Sequence, residues 1–276
     1  MSRLRDDFAA LVAAGERTDL ARAALEIARI GYPTLEPDPW LQRLDALAAA
    51  VRPRLVPGAS PEAAVAELTG YLFGDCGFHG NQQEYYDPRN SYLNDVLERR
   101  TGIPISLSVV LIEVGARVGL ALEGVGFPGH FLVRVRGRQG PLLLDPFFGG
   151  RPITESELLA RYRAFRGADV EALPRDALAP TGRRAILGRM LRNLLRVHLD
   201  RRDHERALLA VDLLLALVPD SPGEIRVRGL LYEHLECAPA ALEDFRRYLE
   251  LAPDAADGDD IRERITRLAR TAATIH

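Results

Sequence analysis

The spacing of apolar residues changes twice along this chain of 276 residues, and these changes limit its fold more than any other feature. Up to Gly119, apolar side chains such as Leu107, Val110 and Leu111 recur at helical spacing. Residues 122–145 alternate with a period of two, which is typical of strands with one buried face. Helices followed by an antiparallel sheet predict an α+β domain. Helical spacing returns after Gly182, which predicts a separate all-α part.

The strand region predicts a β-ribbon that brings two chemical groups together. We expect strands at residues 129–136 and 141–145, joined by a turn at residues 137–140. Counting back from this turn places His130 opposite a residue within one or two places of Asp145. The sequence therefore predicts an imidazole beside a carboxylate at one end of the ribbon.

Ser106 opens the apolar helix that precedes the ribbon. Because the first turn of a helix has free amides and a partial positive charge, Ser106 could act there as a nucleophile. His130 would be its general base, and Asp145 would orient the base. Simpler roles stay open: Ser106 as the helix N-cap, His130 as a hydrogen-bonded core residue, and Asp145 as a turn cap before Pro146.

A polar, aromatic-rich segment at residues 77–92 lacks periodicity and leads into a short helix. One hypothesis is that Asn81, Tyr86, Arg89 and Asn90 bind a substrate, with an asparagine amide facing a developing oxyanion. The alternative is that these side chains hold an irregular loop together through internal hydrogen bonds. The sequence supports the two interpretations equally.

The C-terminal part repeats itself with a period of 34 residues. The recurring pairs are Ala207 and Ala241, Leu217 and Leu251, and Pro219 and Pro253. The second copy also has Gly229, Tyr232 and Phe245 at the small and aromatic positions of the tetratricopeptide repeat (TPR) pattern. This combination predicts a short TPR-like array, which would bind a protein or peptide partner. An array this short should pack against another helix or domain.

A stretch rich in proline, alanine and aspartate at residues 167–182 is predicted to be a linker. We therefore expect an α+β domain at residues 1–178 and a TPR-like helical domain at residues 179–276.

Composition argues against several classes of function. A net charge of −3 does not favour nucleic acid or acidic membranes, and the basic stripe of Arg189, Arg192 and Arg196 is interpreted as a solvated helix face. Apolar runs do not reach the ~18 residues of a membrane span, and the N-terminus does not resemble a secretory signal. The two cysteines, Cys76 and Cys237, suit a reducing compartment, so we expect a cytoplasmic protein. Neither a phosphate-binding loop nor a metal-ligand set is recognisable, so no cofactor or metal is expected.

Three stretches resemble the bacterial SirB-type transglutaminase-like family: GNQQEYYDPRNSYLN at residues 80–94, RRTGIPISLS at residues 99–108, and GVGFPGHFLVR at residues 124–134. The resemblance covers about residues 5–165, and the TPR tail fits the layout of that family. It implies a papain-like fold, whose superfamily uses a Cys-His-Asp triad.

In this resemblance His130 and Asp145 match the histidine and the aspartate of the triad. Counting back from Gly119 puts Ser106 where the cysteine should be. A hydroxyl is far less acidic than a thiol, so the resemblance implies the fold more strongly than the activity.

Two functions of different classes follow from these observations. The serine and the short TPR array favour a protein-binding adaptor or regulatory protein with a degenerate Ser-His-Asp site. The retained histidine and aspartate favour a serine-dependent hydrolase or acyltransferase of the peptidase or amidase type, which would use Ser106, His130 and Asp145. The oligomeric state does not follow from the sequence.

Overall fold

The computed structural model describes residues 2–138, 140–167, 169–174 and 176–274, and the chain divides into two compact units. The α+β unit is Ala14–Met190, and the helical unit joins Met1–Ala13 to Leu191–His276. The expected boundary at residues 178 and 179 was drawn from composition alone. The sequence carries no signal that groups the N-terminal segment with the C-terminal helices.

The helices follow one another in the order that the apolar spacing suggests. Their bounds are α1 (Ser2–Val12), α2 (Leu20–Ala28), α3 (Pro37–Val51), α4 (Pro61–Thr69), α5 (Leu93–Arg99), α6 (Pro104–Arg117), α7 (Glu155–Arg166), α8 (Arg183–Asp200), α9 (His204–Leu217), α10 (Pro222–His234), α11 (Ala238–Leu251) and α12 (Gly258–Thr274). The strands are β1 (His79–Gly80), β2 (Thr101–Gly102), β3 (Leu122–Phe127), β4 (His130–Gly137), β5 (Gly140–Asp145), β6 (Arg151–Pro152) and β7 (Pro180–Thr181). The division between the two units falls within α8.

The α+β unit is built on an antiparallel sheet of five strands in the order β6-β5-β4-β3-β7. The β4–β5 hairpin pairs Gly137 with Gly140, as the predicted turn requires. Gln139 of that turn lies outside the described residues. A separate parallel pair, β1 and β2, ties the polar loop to the start of α6.

Each face of the sheet has its own packing partner. The buried helix α6 packs against β3 and β4, and its end is set by Gly119, whose φ of 86° favours glycine. On the other face, Phe127 and Leu132 pack with Leu158 of α7. Because alternate residues of a strand share a face, His130 of β4 lies on the α7 face together with Leu132.

The segment at residues 167–182 is not a linker in the residues that the structure describes. β7 pairs with β3, with Gly124 opposite Thr181, and Leu173 and Leu178 pack against the core on the α7 face. The prediction was wrong because proline-rich composition also suits an edge strand, where a missing amide hydrogen does no harm. The burial of the two leucines then holds the segment on the sheet.

The helical unit is a stack in which α9 packs on α10, α10 on α11, and α11 on α12. The N-terminal helix α1 packs against α9. These flanking helices cover array faces that a short repeat cannot bury alone, in agreement with the expectation that it packs against another helix.

Two neighbouring residues of α10 explain the close packing of the repeat. A Cβ atom on Gly229 would lie 2.8 Å from the ring of Phe245, so glycine lets α10 and α11 approach. Arg228 donates to both carboxylate oxygens of Asp244, at 2.6 and 2.8 Å, and to Asp212 at 3.1 Å. A partly buried guanidinium thus joins α9, α10 and α11.

We predict that Gly229→Ala and Gly223→Ala change stability in opposite directions. Gly229→Ala should lower the free energy of unfolding by about 1–3 kcal/mol because the new methyl group overpacks against Phe245. A Cβ atom on Gly223, in the same helix, meets nothing within 4 Å, so alanine there should raise stability by up to about 1 kcal/mol. Urea unfolding of the full chain, followed by circular dichroism, measures both. Equal effects of the two substitutions would contradict the packing described here.

Candidate functional site

The β4–β5 hairpin brings the predicted imidazole and carboxylate together. Nε2 of His130 lies 2.8 Å from Oδ1 of Asp145. The carboxylate is fully buried, whereas 12% of the His130 side chain is exposed. Val133 pairs with Leu144, so Asp145 stands opposite Leu132, on the same face as His130. The predicted juxtaposition of these two side chains is confirmed.

A tight turn fixes the position at which His130 enters the sheet. Pro128 and Gly129 join β3 to β4, and Phe127 pairs with His130 across them. Gly129 has a φ of 66°, and a proline followed by such a glycine is typical of a type II turn. Nη2 of Arg189 donates to the carbonyl oxygens of Phe127 at 3.0 Å and His130 at 2.6 Å. The backbone of His130 is therefore held by the turn and by a guanidinium.

Arg161 on α7 completes the surroundings of Asp145. Its Nη1 donates to Oδ2 of Asp145 at 2.8 Å. Burial by itself would raise the pKa of Asp145, but the hydrogen bonds and charges of His130 and Arg161 outweigh it and hold this pKa below its usual value. Asp145 therefore remains ionised at neutral pH. It makes no capping hydrogen bond to the turn Pro146–Phe148, so the turn-cap interpretation is wrong.

The position of the proton on His130 follows from this partner. An ionised carboxylate can only accept hydrogen bonds, so Nε2 of His130 donates to Asp145, and in the neutral form of the ring Nδ1 is then the acceptor. Among the described residues, His130 forms hydrogen bonds through Nε2 and its carbonyl oxygen, not through Nδ1. The arrangement leaves Nδ1 able to take a proton from a group that is brought to it.

Ser106 is bonded to backbone groups of its own helix and of the polar loop. Its Oγ donates to the carbonyl oxygen of Asn90 at 2.6 Å and accepts from the amide of Ile103 at 3.1 Å. The residue is fully buried, and a Cβ atom on Gly102 would lie 2.6 Å from its Oγ. Ser106 is not the N-cap, because Pro104 is the first residue of α6 and Ile103 precedes it.

The structure thus joins His130 to Asp145 but does not join Ser106 to either of them. In the part of the chain that is described, the hydrogen bonds of Ser106 go to residues 90 and 103. A hydroxyl that already donates to a carbonyl must break that bond before it can donate to a base. The role of Ser106 as nucleophile stays a prediction.

The side chains of Asn81 and Asn90 form hydrogen bonds within the polar loop. Nδ2 of Asn81 donates to Oδ1 of Asn90 at 3.1 Å, and Oδ1 of Asn81 accepts from the amide of Glu84 at 2.9 Å. Nδ2 of Asn90 donates to the carbonyl oxygens of Glu84 at 2.7 Å and Tyr85 at 3.2 Å. Asn90 is fully buried. These contacts favour the loop-stabilising interpretation, while the substrate-binding role of both residues stays a prediction.

Arg89 and Tyr86 lie on the outer side of the same loop. Nε of Arg89 donates to Oδ2 of Asp87 at 3.0 Å. Burial would raise the pKa of Asp87, but the hydrogen bonds from Arg89 lower it below its usual value. The ring of Tyr86 is exposed and lies edge-on to that of Tyr85, with 5.3 Å between centroids. Their predicted contact with a substrate is neither supported nor opposed by this geometry.

Sequence reasoning missed two arginines at this site. Arg161 lies 16 residues beyond Asp145 on a different element, and no local pattern links them. Arg189 was interpreted as part of a solvated stripe, and that was wrong. Its guanidinium is largely enclosed, so burial lowers its pKa, and it stacks over Phe131 at 5.4 Å from the ring centroid.

Aromatic side chains lie around His130, and we call them the aromatic surface: Tyr85, Tyr86, Phe147, Phe148 and Phe165. The ring of Phe147 is 6.1 Å from that of His130 and 5.9 Å from that of Tyr85. Phe148 stacks on His130 at 6.2 Å. Phe165 is close to Gly129. The described ring contacts of the imidazole are therefore with Phe147 and Phe148.

The helical unit has a groove of about 480 Å³. Four arginines line it, namely Arg5, Arg228, Arg246 and Arg247, together with carboxylates such as Glu243 and Glu250. Mixed charges of this kind suit a polar peptide.

Two features are absent from the described part of the chain. No cluster of three or more histidine, cysteine, aspartate or glutamate residues in it could hold a metal ion. None of its helices combines the length and the apolar character that crossing a membrane requires.

Comparison with known proteins gives matches to both parts of the chain. Residues 38–192 match a family model described as "Transglutaminase-like superfamily", and residues 194–266 match one described as "Tetratricopeptide repeat". No solved structure matches the chain with significance.

Curated relatives match over nearly their whole length. A "UPF0162 protein" of Xylella fastidiosa (strain Temecula1) is 41% identical over 264 residues, which is 95% of this chain and 94% of that protein. "Protein SirB1" of Salmonella typhimurium (strain LT2) is 28% identical over 253 residues, or 92% of this chain and 93% of the relative. The "UPF0162 protein YchA" of Escherichia coli (strain K12) gives the same identity and coverage.

We predict that Asp145→Asn lowers the free energy of unfolding at neutral pH by about 3 kcal/mol, because it leaves Arg161 beside a group without charge. The pKa of Asp145 is lowered in the folded state, so its contribution is present above the unfolded pKa near 4 and is lost as the pH falls through the folded value. The difference between wild type and variant should therefore shrink below about pH 4.

Urea unfolding at a series of pH values measures this difference. Asp38→Asn is the control, because it breaks an exposed ion pair with Arg22 and should cost less than about 1 kcal/mol. A difference between wild type and Asp145→Asn that stays constant from pH 7 to pH 3 would contradict the charge-based explanation.

We also predict that Asn90→Ala destabilises the protein by about 2–4 kcal/mol, because it removes the three hydrogen bonds that this fully buried side chain makes. Tyr86→Ala, in the same loop but exposed, should change stability by less than about 0.5 kcal/mol. Thermal and urea unfolding measure both variants. A stable Asn90→Ala variant would show that the loop does not depend on this side chain.

Proposed function

This chain belongs to the SirB-type transglutaminase-like family, and from that premise we propose that it is a protein-binding adaptor or regulatory protein. In this proposal the α+β unit keeps the fold and the base-side residues of the superfamily as a degenerate Ser-His-Asp site. The TPR repeats supply a second protein-binding surface.

One observation carries the proposal: the hydroxyl of Ser106 is used inside the fold. It donates to Asn90 at 2.6 Å and is fully buried. If it moved towards His130, the carbonyl of Asn90 and the amide of Ile103 would each lose the hydroxyl and keep only the 3.4 Å bond between them. Each of the two lost hydrogen bonds contributes about 0.5–1.5 kcal/mol, so the observed bonding opposes a catalytic position.

The helical unit supports the same proposal. TPR repeats generally bind proteins, and the groove of this unit is lined by Arg5, Arg246 and other charged side chains. Arg5 comes from α1, so the N-terminal helix would contribute to the binding surface. We propose a protein or peptide segment as the occupant.

A second candidate function is favoured by the intact pair of His130 and Asp145. An imidazole with Nδ1 open and Nε2 bonded to a buried carboxylate has the arrangement of the base in an acyl-transfer site. A serine-dependent hydrolase or acyltransferase would need the first turn of α6 to rearrange, so that Ser106 reaches Nδ1.

The two cysteines form no disulfide, which suits the reducing cytoplasm that we propose as the location.

We predict that a fluorophosphonate probe does not label Ser106 in the folded full-length chain. The buried hydroxyl has no access to the probe and no hydrogen bond to His130. Intact-mass measurement and peptide mapping by mass spectrometry identify any modified residue without the need for a variant.

Ser108→Ala is the matched control, since Ser108 is also buried in α6 and donates to the carbonyl of Pro104 at 2.7 Å. Labelling of Ser106 would contradict the adaptor proposal if it persists in Ser108→Ala and disappears in both Ser106→Ala and His130→Ala. That result would favour the hydrolase or acyltransferase.

A further inference from the structure

We propose that the aromatic surface around His130 is the docking site for a peptide segment that carries an aromatic or large aliphatic side chain next to an aspartate or glutamate. This inference rests on the proposed protein-binding function and names the chemistry of the partner. It assigns that partner to the α+β unit and not to the groove of the helical unit.

The exposure of the rings is the first argument. The exposed fractions are 38% for Tyr85, 59% for Tyr86, 42% for Phe148 and 60% for Phe165. Rings of this size rarely stay in water together unless a partner covers them. Tyrosine and phenylalanine are also enriched among the residues that dominate protein–protein interfaces.

The continuity of the surface is the second argument. Neighbouring rings are in edge contact: Tyr86 with Tyr85 at 5.3 Å, Tyr85 with Phe147 at 5.9 Å, and Phe147 with Phe148 at 5.2 Å. Phe148 then stacks on the imidazole of His130. Phe147 is almost buried and supports the others from below. The rings of Tyr86, Tyr85, Phe147 and Phe148 thus form one supported strip, and Phe165 lies beside Gly129.

The charge beside the strip selects the partner. Arg161 lies over Phe148 at 5.1 Å from the ring centroid, and Asp145 balances its charge. Arg166 lies over Phe165 at 5.7 Å. Within the described residues, neither Arg166 nor Arg189 has a carboxylate partner at ion-pair distance.

Arg189 is the less usual of these two arginines. Its Nη2 is used by the carbonyls of Phe127 and His130, and its guanidinium acts electrostatically on Tyr85. A guanidinium that is partly desolvated and not paired with an acid gains more from an incoming carboxylate than a solvated one does. An acidic residue next to an apolar one therefore complements this surface in both charge and shape.

Selection from a phage-displayed library of random dodecapeptides, with the full-length chain as target, tests the proposal. We expect enriched sequences to contain an aromatic or large aliphatic residue adjacent to aspartate or glutamate. The dissociation constant of a selected synthetic peptide should rise at least about tenfold for the Tyr86→Ala/Phe148→Ala variant. It should also rise about threefold or more when the acidic residue of the peptide is replaced by its amide.

Two variants of the protein complete the design. Arg166→Gln removes an exposed charge next to Phe165 and should weaken binding and reduce its salt dependence. Val56→Ala removes a side chain that is 70% exposed elsewhere on the same unit, and it should leave binding unchanged. Thermal unfolding of each variant shows that the fold is intact.

Several results would overturn the inference. These are selected peptides without acidic residues, peptides that bind the double variant as tightly as wild type, and the absence of any selected sequence. Self-association that is lost in the double variant, measured by light scattering, would assign the surface to a second copy of the chain. These results leave the adaptor proposal standing, whereas Ser106-dependent labelling removes that proposal itself.

Discussion

The buried carboxylate of Asp145 is the interaction on which the candidate site depends. It lies at the end of β5 and holds His130 of β4 through one oxygen and Arg161 of α7 through the other, both at 2.8 Å. Because the carboxylate is fully enclosed, its two partners offset the free energy of its desolvation. Removal of either partner is therefore expected to lower the stability of the fold. The hydrogen bond of the imidazole and the contact of Arg161 of α7 with the end of β5 both depend on this one group.

A second interaction, between Ser106 and Asn90, bears on the function that we propose. The hydroxyl of Ser106 joins the first turn of α6 to the carbonyl of Asn90, and Asn90 in turn gathers the polar loop through its side chain. Ser106, which the sequence resemblance matches to the superfamily cysteine, is therefore part of the internal bonding of the loop. In the function that we propose, the fold keeps the base side of an acyl-transfer centre, while the serine has a structural role. Under that proposal, membership of the family does not require catalytic activity.

The sequence predicts those features that local chemistry fixes. The alternation of β4 and its short turn to β5 determine register, so His130 and Asp145 could be brought together by counting. The helical array could be predicted because its alanine, leucine and proline positions recur at a fixed spacing of 34 residues. The orientation of Ser106 could not be predicted, because a carbonyl 16 residues away in an irregular loop sets it. The environment of Arg189 could not be predicted, because arginines at helical spacing give the same sequence pattern on a solvated face and on a face that contacts the β3–β4 turn. Residues 167–182 were misjudged because their turn-forming composition hides two leucines that pack on the sheet.

The packing of α1 against α9 has a consequence for how the chain is made. The whole of Ala14–Met190 is synthesised between these two helices, so the N-terminal helix leaves the ribosome long before its neighbour exists. The α+β unit can fold during translation as each of its strands and helices appears. The contact between α1 and α9 must instead wait for a very large sequence separation to close, which is entropically slow. The helices α9–α12 contact their neighbours along the chain, so the array can form first and α1 can join it last.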